Sequence, residues 1–307
     1  MVVSMNVLNQ ASGKNFHIYN ADTVEFSAGL PANSIDLSIY SPPFAHLFVY
    51  SDSDRDMGNV NSYDQFHEQY RYLTQSLFNA TKPGRVTCVH CSDIPTTKSK
   101  DGVIGLFDLP SIIRDVHEAT GWVYHSRVTI WKDPVVEMQR TKAHGLLYKT
   151  FRTDSSRCRM GMPDYMLFFR KPVDGASEKT PEPVIHDPNM FPVTAWQEIA
   201  SPVWMTINQT NVLNVKAARD DKDERHLCPL QIDVIERCLA LYSNEGETVY
   251  SPFMGIGSEG YASLRHGRKF VGTELKDSYF RQAVKFLKEA EAQGVGSNLF
   301  SNLEAAE

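Results

Sequence analysis

The sequence predicts an α/β fold, a doubly wound and mostly parallel sheet with helices on both faces. Three observations lead there. Short β-branched and aromatic runs such as Ile35–Tyr40, Arg85–Cys91 and Lys269–Glu274 alternate with longer stretches whose apolar residues recur at helical spacing. The 307 residues suit one large domain of this kind with an insertion. Two of the runs end abruptly, at Ser41-Pro42-Pro43-Phe44 and at Ser251-Pro252-Phe253. In doubly wound sheets, ligands bind beyond the carboxyl ends of the strands.

Taken in order, His17–Asn20 reads as a strand, and Ala21-Asp22 leads into a helical turn that reaches Leu30. Ser34–Tyr40 is the strand before the proline corner, which removes two backbone donors and cannot continue a central strand. Asp52–Asn61 is polar and reads as a loop. Tyr63–Thr81 places Phe66, Tyr70, Leu73, Leu77 and Phe78 on one helical face, and Lys82-Pro83-Gly84 ends that helix. Arg85–Cys91 is a strand, Asp108–Thr120 a helix closed by Gly121, and Trp122–Trp131 and Asp164–Arg170 are strands. Pro172–Pro192 is rich in Pro, Asp, Glu and Ser and reads as an exposed loop, and Arg219–Arg225 is a solvated charge run. The alternation then returns: helix over Pro229–Tyr242, strand Glu247–Tyr250, glycine turn Phe253–Ser258, helix Glu259–His266, strand Lys269–Glu274 and helix Ser278–Gln293.

Hydrophobic residues make up 42% and charged residues 22%, the balance of a soluble globular protein. No run is long and apolar enough to span a bilayer, and no signal peptide is recognisable. With five cysteines and no export signal, the expectation is reduced thiols and a cytoplasmic location. The formal net charge of −6 argues against a surface coated in positive charge. A local stripe runs against that balance: Arg140, Lys142, Lys149, Arg152, Arg157 and Arg159 are opposed only by Asp154. Such a stripe is sufficient for contact with a polyanion.

In Ser251-Pro252-Phe253-Met254-Gly255-Ile256-Gly257 a strand runs into two glycines and then into a helix. Glycines there let a ligand approach the backbone, and the helix N-terminus can donate hydrogen bonds to it. Glu274, seventeen residues after Gly257, ends the next strand, where an acid can accept from a ribose diol. The pair points to an adenosine-containing cofactor; it is neither a full dinucleotide signature nor a phosphate-binding loop ending in Gly-Lys-Ser/Thr.

Together the two stretches resemble the amino-directed DNA methyltransferases, which methylate N4 of cytosine or N6 of adenine. Their catalytic tetrapeptide, (Ser/Asn/Asp)-Pro-Pro-(Tyr/Phe/Trp), stands here as Ser41-Pro42-Pro43-Phe44. Their S-adenosylmethionine loop, Asp-Pro-Phe-x-Gly-x-Gly, stands as residues 251–257 with Ser251 in place of the aspartate. A serine there offers a hydrogen bond but no charge for the methionine ammonium. Catalytic motif first and cofactor motif about two hundred residues later is the permuted order of the β group. Asp22 lies where the family has an acid near the cofactor adenine. The segment Arg225–Gln231 is similar to the family's His-Pro-x-Gln-Lys-Pro, which implies cofactor contacts for His226 and Gln231. The resemblance covers roughly 18–148 and 224–288, and it implies a Rossmann-like sheet with S-adenosylmethionine as cofactor and double-stranded DNA as partner. It divides the chain into a catalytic half (1–137), a target-recognition region (138–222) carrying the basic stripe, and a cofactor half (223–307). A homodimer stays open.

An exocyclic amine is a poor nucleophile because its lone pair is delocalised into the ring. Two acceptors, the Ser41 hydroxyl and the Pro42 carbonyl, held by a rigid Pro-Pro unit, would draw that nitrogen toward tetrahedral geometry. Phe44 would offer a flat face to a flipped base. Serine in the first position leans toward N4 of cytosine, with N6 of adenine as the alternative. An RNA or small-molecule methyltransferase and a catalytically idle DNA-binding relative, the latter suggested by Ser251, are the competing readings. Cys88-Val-His-Cys91 has metal-ligand spacing but no second pair, so buried core thiols are expected, with no metal. Asp52, Asp54 and Asp56 read as a solvated loop, and Trp122, Trp131, Trp196 and Trp204 as packing residues.

Overall fold

The computed structural model describes residues 6–43, 63–141, 145–173, 175, 180–187, 191–214 and 229–296. Its elements are β1 (Val7–Ser12), β2 (Phe16–Ala21), α1 (Thr23–Ala28), β3 (Ile35–Tyr40), α2 (Tyr63–Ala80), β4 (Thr81–Cys91), β5 (Ile94–Thr96), α3 (Lys98–Asp101), β6 (Gly105–Phe107), α4 (Leu109–Ala119) and β7 (Val123–Ile130). There follow α5 (Pro134–Thr141), α6 (Tyr148–Thr153), a 3-10 turn (Ser155–Arg157), β8 (Asp164–Arg170), α7 (Val193–Ala200) and β9 (Val203–Trp204). The chain then forms α8 (Ile232–Tyr242), β10 (Thr248–Ser251), α9 (Ser258–Arg265), β11 (Lys269–Glu274) and α10 (Asp277–Gln293).

Among the described residues nine strands form one sheet in the order β1-β2-β11-β10-β3-β4-β8-β7-β9. The run from β2 to β4 is parallel, β8 is antiparallel to both its neighbours, and β1 is an antiparallel edge. Strand alternation sorts the core to two faces. Leu37, Ile39, Val249 and Phe270 pack with Leu239 of α8, Leu264 of α9 and Leu287 of α10. Tyr40, Val89, Phe169 and Tyr250 pack with Phe26 of α1, Phe66, Tyr70, Leu73 and Leu77 of α2, and Ile113 and Val116 of α4. This is the doubly wound sheet that the sequence predicts. Among the described residues no helix is long and apolar enough to cross a membrane.

Several local expectations change. β4 begins at Thr81, not Arg85, and its register against β3 shifts between Ile35↔Thr81 and Leu37↔Val86. Pro83 and Gly84 (φ 79°) sit in that irregularity, inside a strand where the sequence suggested the end of the preceding helix. β2 pairs with β11, which places residues 16–21 beside the C-terminal half of the chain. The segment 138–222, expected to be a target-recognition region, also contributes to the sheet: β8 lies between β4 and β7, and β9 pairs with β7. Within it, α5, α6 and the 3-10 turn form an excursion that leaves after β7 and returns at β8. Trp122 and Trp204 are core residues, whereas Trp131 and Trp196 are exposed. The loop 52–61 and the charge run 219–225 lie outside the described residues.

Candidate active site

Ser41, Pro42 and Pro43 leave the end of β3, a strand buried along its whole length. Register then decides what stands beside them. Tyr40 pairs with Val89 of β4, so the next residues, Ser41 and His90, meet at the carboxyl edge, and the Ser41 Oγ lies 2.8 Å from His90 Nδ1. His90 pairs with Met166 of β8, which runs the opposite way and so starts at this edge with Asp164. His90 Nε2 lies 3.1 Å from Asp164 Oδ2. Asp164 pairs with Ile130 at the end of β7, and Lys132, two residues on, forms an ion pair with the same Oδ2. The ends of four adjacent strands thus line up Ser41, His90, Asp164 and Lys132.

The electrostatics of this row follow from burial and charge. Burial alone would push the Asp164 carboxyl up, but Lys132 and His90 together outweigh it and hold the group well below the usual carboxylate range. An ionised Asp164 can only accept, so it takes the His90 Nε2–H. In the neutral imidazole Nδ1 then carries the lone pair and accepts from the Ser41 hydroxyl. A cleft lined by Ser92, Lys132, Glu137, Met162, Asp164 and Gln209 opens beside the far end of the row.

One strand over on the other side, β10 ends at Ser251, and Tyr250 pairs with Ser38 of β3. The Tyr40 ring lies 5.9 Å from the Phe253 ring, joining the proline corner to the glycine turn. Gly255 (φ 52°) and Gly257 (φ 93°) adopt the left-handed conformation that favours glycine. A Cβ at Gly257 would strike Leu287 at 2.7 Å, so that glycine seats α9 on α10; one at Gly255 would meet nothing within 4 Å. Glu274 Oε2 accepts from Gly255 N at 3.0 Å, and Oε1 accepts from Lys276 N at 2.8 Å. Asp22 caps α1 by accepting from Glu25 N at 2.9 Å. Its neighbour Thr23 is tied through Thr273 to the Pro252 carbonyl, with distances of 3.1 and 2.8 Å. Asp22, Pro252, Gly255 and Glu274 therefore share one neighbourhood. Open space at Gly255 and the buried hydroxyl of Ser251, which has no partner among the described residues, suit an adenosine-containing cofactor such as S-adenosylmethionine. Gln231 is buried at the start of α8; Phe44 and His226 lie outside the described residues.

The basic stripe divides. Lys149 and Arg152 are exposed on α6, beside exposed Tyr148 and Phe151. Arg159 instead forms an ion pair with buried Glu137 at 3.3 Å and donates to the Met160 carbonyl at 2.9 Å, so it braces the α5 excursion. Arg140 lies in α5 and Arg157 in the 3-10 turn, while Lys142 is outside the described residues.

His90, Asp164 and Lys132 are the site residues that sequence reasoning missed. The only local signal was His90 between Cys88 and Cys91, whose thiols are buried as expected, with burial pushing both upward. The other two stand 74 and 42 positions from His90 in the chain and are joined to it only by strand pairing.

The family model for DNA methylases of the N6/N4-methyltransferase type matches residues 35–285. The type II methyltransferase M.MjaI of Methanocaldococcus jannaschii is 23% identical over 217 residues, which are 70% of this chain and 65% of that protein. The chain therefore spans just under two thirds of that relative's length. Among solved structures, TTHA0409 of Thermus thermophilus, described as a candidate DNA modification methylase, superposes with a TM-score of 0.64 at 19% identity, covering 92% of this chain and 98% of that one. The PvuII DNA methyltransferase, described as cytosine-N4-specific, superposes with a TM-score of 0.63 at 14% identity, covering 96% and 100%. At these identities the superpositions establish a shared fold. The family match, spanning both the proline corner and the glycine turn, goes further: this chain belongs to the N6/N4 family of DNA methylases.

Proposed function

We propose that the chain is a DNA methyltransferase that moves a methyl group from S-adenosylmethionine to the exocyclic amine of a base turned out of the duplex, N4 of cytosine. The observation that carries this reading is the Ser41–His90–Asp164–Lys132 row, one strand away from the glycine turn. Bound at the turn, the cofactor supplies an electrophilic methyl group on a cationic sulfur. Pro42 and Pro43 hold Ser41 so that its oxygen and the Pro42 carbonyl accept from the amine N–H bonds and aim the nitrogen lone pair. Phe44 is assigned the flat apolar face for the base.

As the nitrogen gains its methyl group it becomes acidic. Its proton passes to Ser41 Oγ while the Ser41 hydroxyl proton passes to His90 Nδ1. Asp164 then faces an imidazolium, whose charge it balances, and Lys132 keeps Asp164 ionised throughout. His90 returns the proton to water. Serine in the first position of the tetrapeptide favours cytosine over adenine. On the DNA side, exposed Lys149 and Arg152 with Tyr148 and Phe151 on α6 supply charge and aromatic surface at the excursion assigned to target recognition.

The test is methyl transfer from labelled S-adenosylmethionine to plasmid DNA, followed by nucleoside analysis. N4-methylcytosine is expected. N6-methyladenine would overturn the choice of base, and label in RNA alone or in neither nucleic acid would overturn the reading.

A further inference from the structure

Glu259 is the second residue of α9. It is 4% exposed and stands near Glu274. Burial, and more weakly the Glu274 charge, push its carboxyl up to about 8 against a hydrogen bond from its own backbone amide. Among the described residues no lysine, arginine or histidine pairs with it. A buried acid beside a second carboxylate is costly to ionise unless a cation comes to it. Two hydroxyls at the ends of the turn that leads into α9 also lack partners among the described residues. Ser251 Oγ, fully buried at the end of β10, and Ser258 Oγ, 3% exposed and adjacent in sequence, have no hydrogen-bond partner among the described residues. Buried hydroxyls without partners are uncommon, and here two flank one turn that also leaves open space at Gly255.

We propose that Glu259, helped by Ser251 and Ser258, is the receptor for the ammonium group of the cofactor's amino-acid end, an inference that rests on the S-adenosylmethionine reading above. An ammonium has three N–H donors, and the turn offers a carboxylate and two hydroxyl oxygens to take them. The charge missing at position 251 is thus supplied eight positions later, from the first turn of α9. The arrangement has a proton signature. Glu259 is held mostly protonated at pH 7, so arrival of a cation ionises it, and the proton leaves to buffer.

The experiment is calorimetry of the full chain at pH 7 in two buffers of different ionisation enthalpy. S-adenosylmethionine and S-adenosylhomocysteine are the ligands, with 5′-methylthioadenosine, which lacks the amino-acid end, as control. Wild-type protein should release about one proton per S-adenosylmethionine bound. In Glu259→Gln the release should vanish and affinity for both full ligands should fall about 10- to 100-fold, while affinity for 5′-methylthioadenosine is unchanged. Ser251→Asp added to Glu259→Gln should recover much of the lost affinity. Wild-type affinity in Glu259→Gln, or an equal loss for 5′-methylthioadenosine, would overturn the assignment of Glu259 alone. Failure of the wild-type chain to bind S-adenosylmethionine would overturn the functional reading and this proposal with it.

Discussion

Asp164→Asn keeps the size of a side chain and removes the charge on which the row depends. Asp164 is 4% exposed, and one oxygen, Oδ2, takes both the His90 Nε2–H and the Lys132 ammonium. If the asparagine turns its amide nitrogen to His90, the imidazole must adopt the other tautomer. Its Nδ1–H then donates to Ser41, and His90 can no longer accept the Ser41 proton. If the asparagine turns its oxygen to His90, the tautomer survives, but Lys132 is left without a counter-charge. Breaking a buried pair by removing one partner costs about 3–5 kcal/mol. The Lys132 side chain keeps 11% exposure, so the lower end, about 3 kcal/mol of stability, is expected from urea unfolding at pH 7. Loss of proton acceptance should cost on the order of 10²- to 10⁴-fold in the methyl-transfer step. Single-turnover transfer with saturating labelled cofactor and DNA measures that step, and calorimetry should give unchanged cofactor affinity. His90→Gln should slow the step similarly, and the double variant should be no slower than the worse single one, as for residues that act as a unit. An Asp164→Asn rate within about threefold of wild type would show that no proton passes along this row.

Ser41→Ala should remove about 2–4 kcal/mol of transition-state stabilisation, roughly 30- to 1,000-fold in rate, with cofactor affinity intact; a wild-type rate would take Ser41 out of the chemistry. His117 is buried, stacked on Phe169 at 3.9 Å, and burial lowers it to about 3. Because the unfolded chain takes up the proton near pH 6.5 and the folded chain does not, its contribution is full above that pH and declines as pH falls toward 3. Moving from pH 7 to pH 5 should therefore cost about 2 kcal/mol more in wild type than in His117→Phe, and equal losses in urea unfolding would refute it. For DNA affinity over a salt series, Lys149→Ala with Arg152→Ala should lower the slope of log K against log salt by roughly 1.8, whereas Arg159→Ala, already bound to Glu137, should leave it unchanged. A wild-type slope in the double variant would mean that α6 does not meet DNA.

Much of the fold is legible because its signals are local. The Ser41-Pro42-Pro43 corner, the helical stripe from Phe66 to Leu77 and the glycine turn after Ser251 each depend on a few neighbouring residues, through fixed φ angles, apolar period and backbone freedom. The same local reading misses β1, an edge strand whose side chains are mostly exposed and so show no burial alternation, and it reads Pro83-Gly84 as a stop where lateral pairing carries the strand through. It also assigns Arg159 to the basic stripe, because Glu137, its partner, is 22 positions away.

The fold class, the two strand ends that carry the motifs and the family to which those motifs point can all be read from the chain alone. Which side chains meet at those ends is settled by strand pairing. His90 faces Ser41 because β4 pairs with β3 in one register, and Asp164 reaches the same edge because β8 runs antiparallel and begins where its neighbours end. A shift of one residue in either pairing would turn every side chain of that strand to the opposite face and undo the row. Burial is likewise a property of the assembled molecule. Glu259 looks like any acid at a helix start until α9 is packed on β10 and β11 and against α10, and only then does it become a buried carboxyl with no basic partner among the described residues.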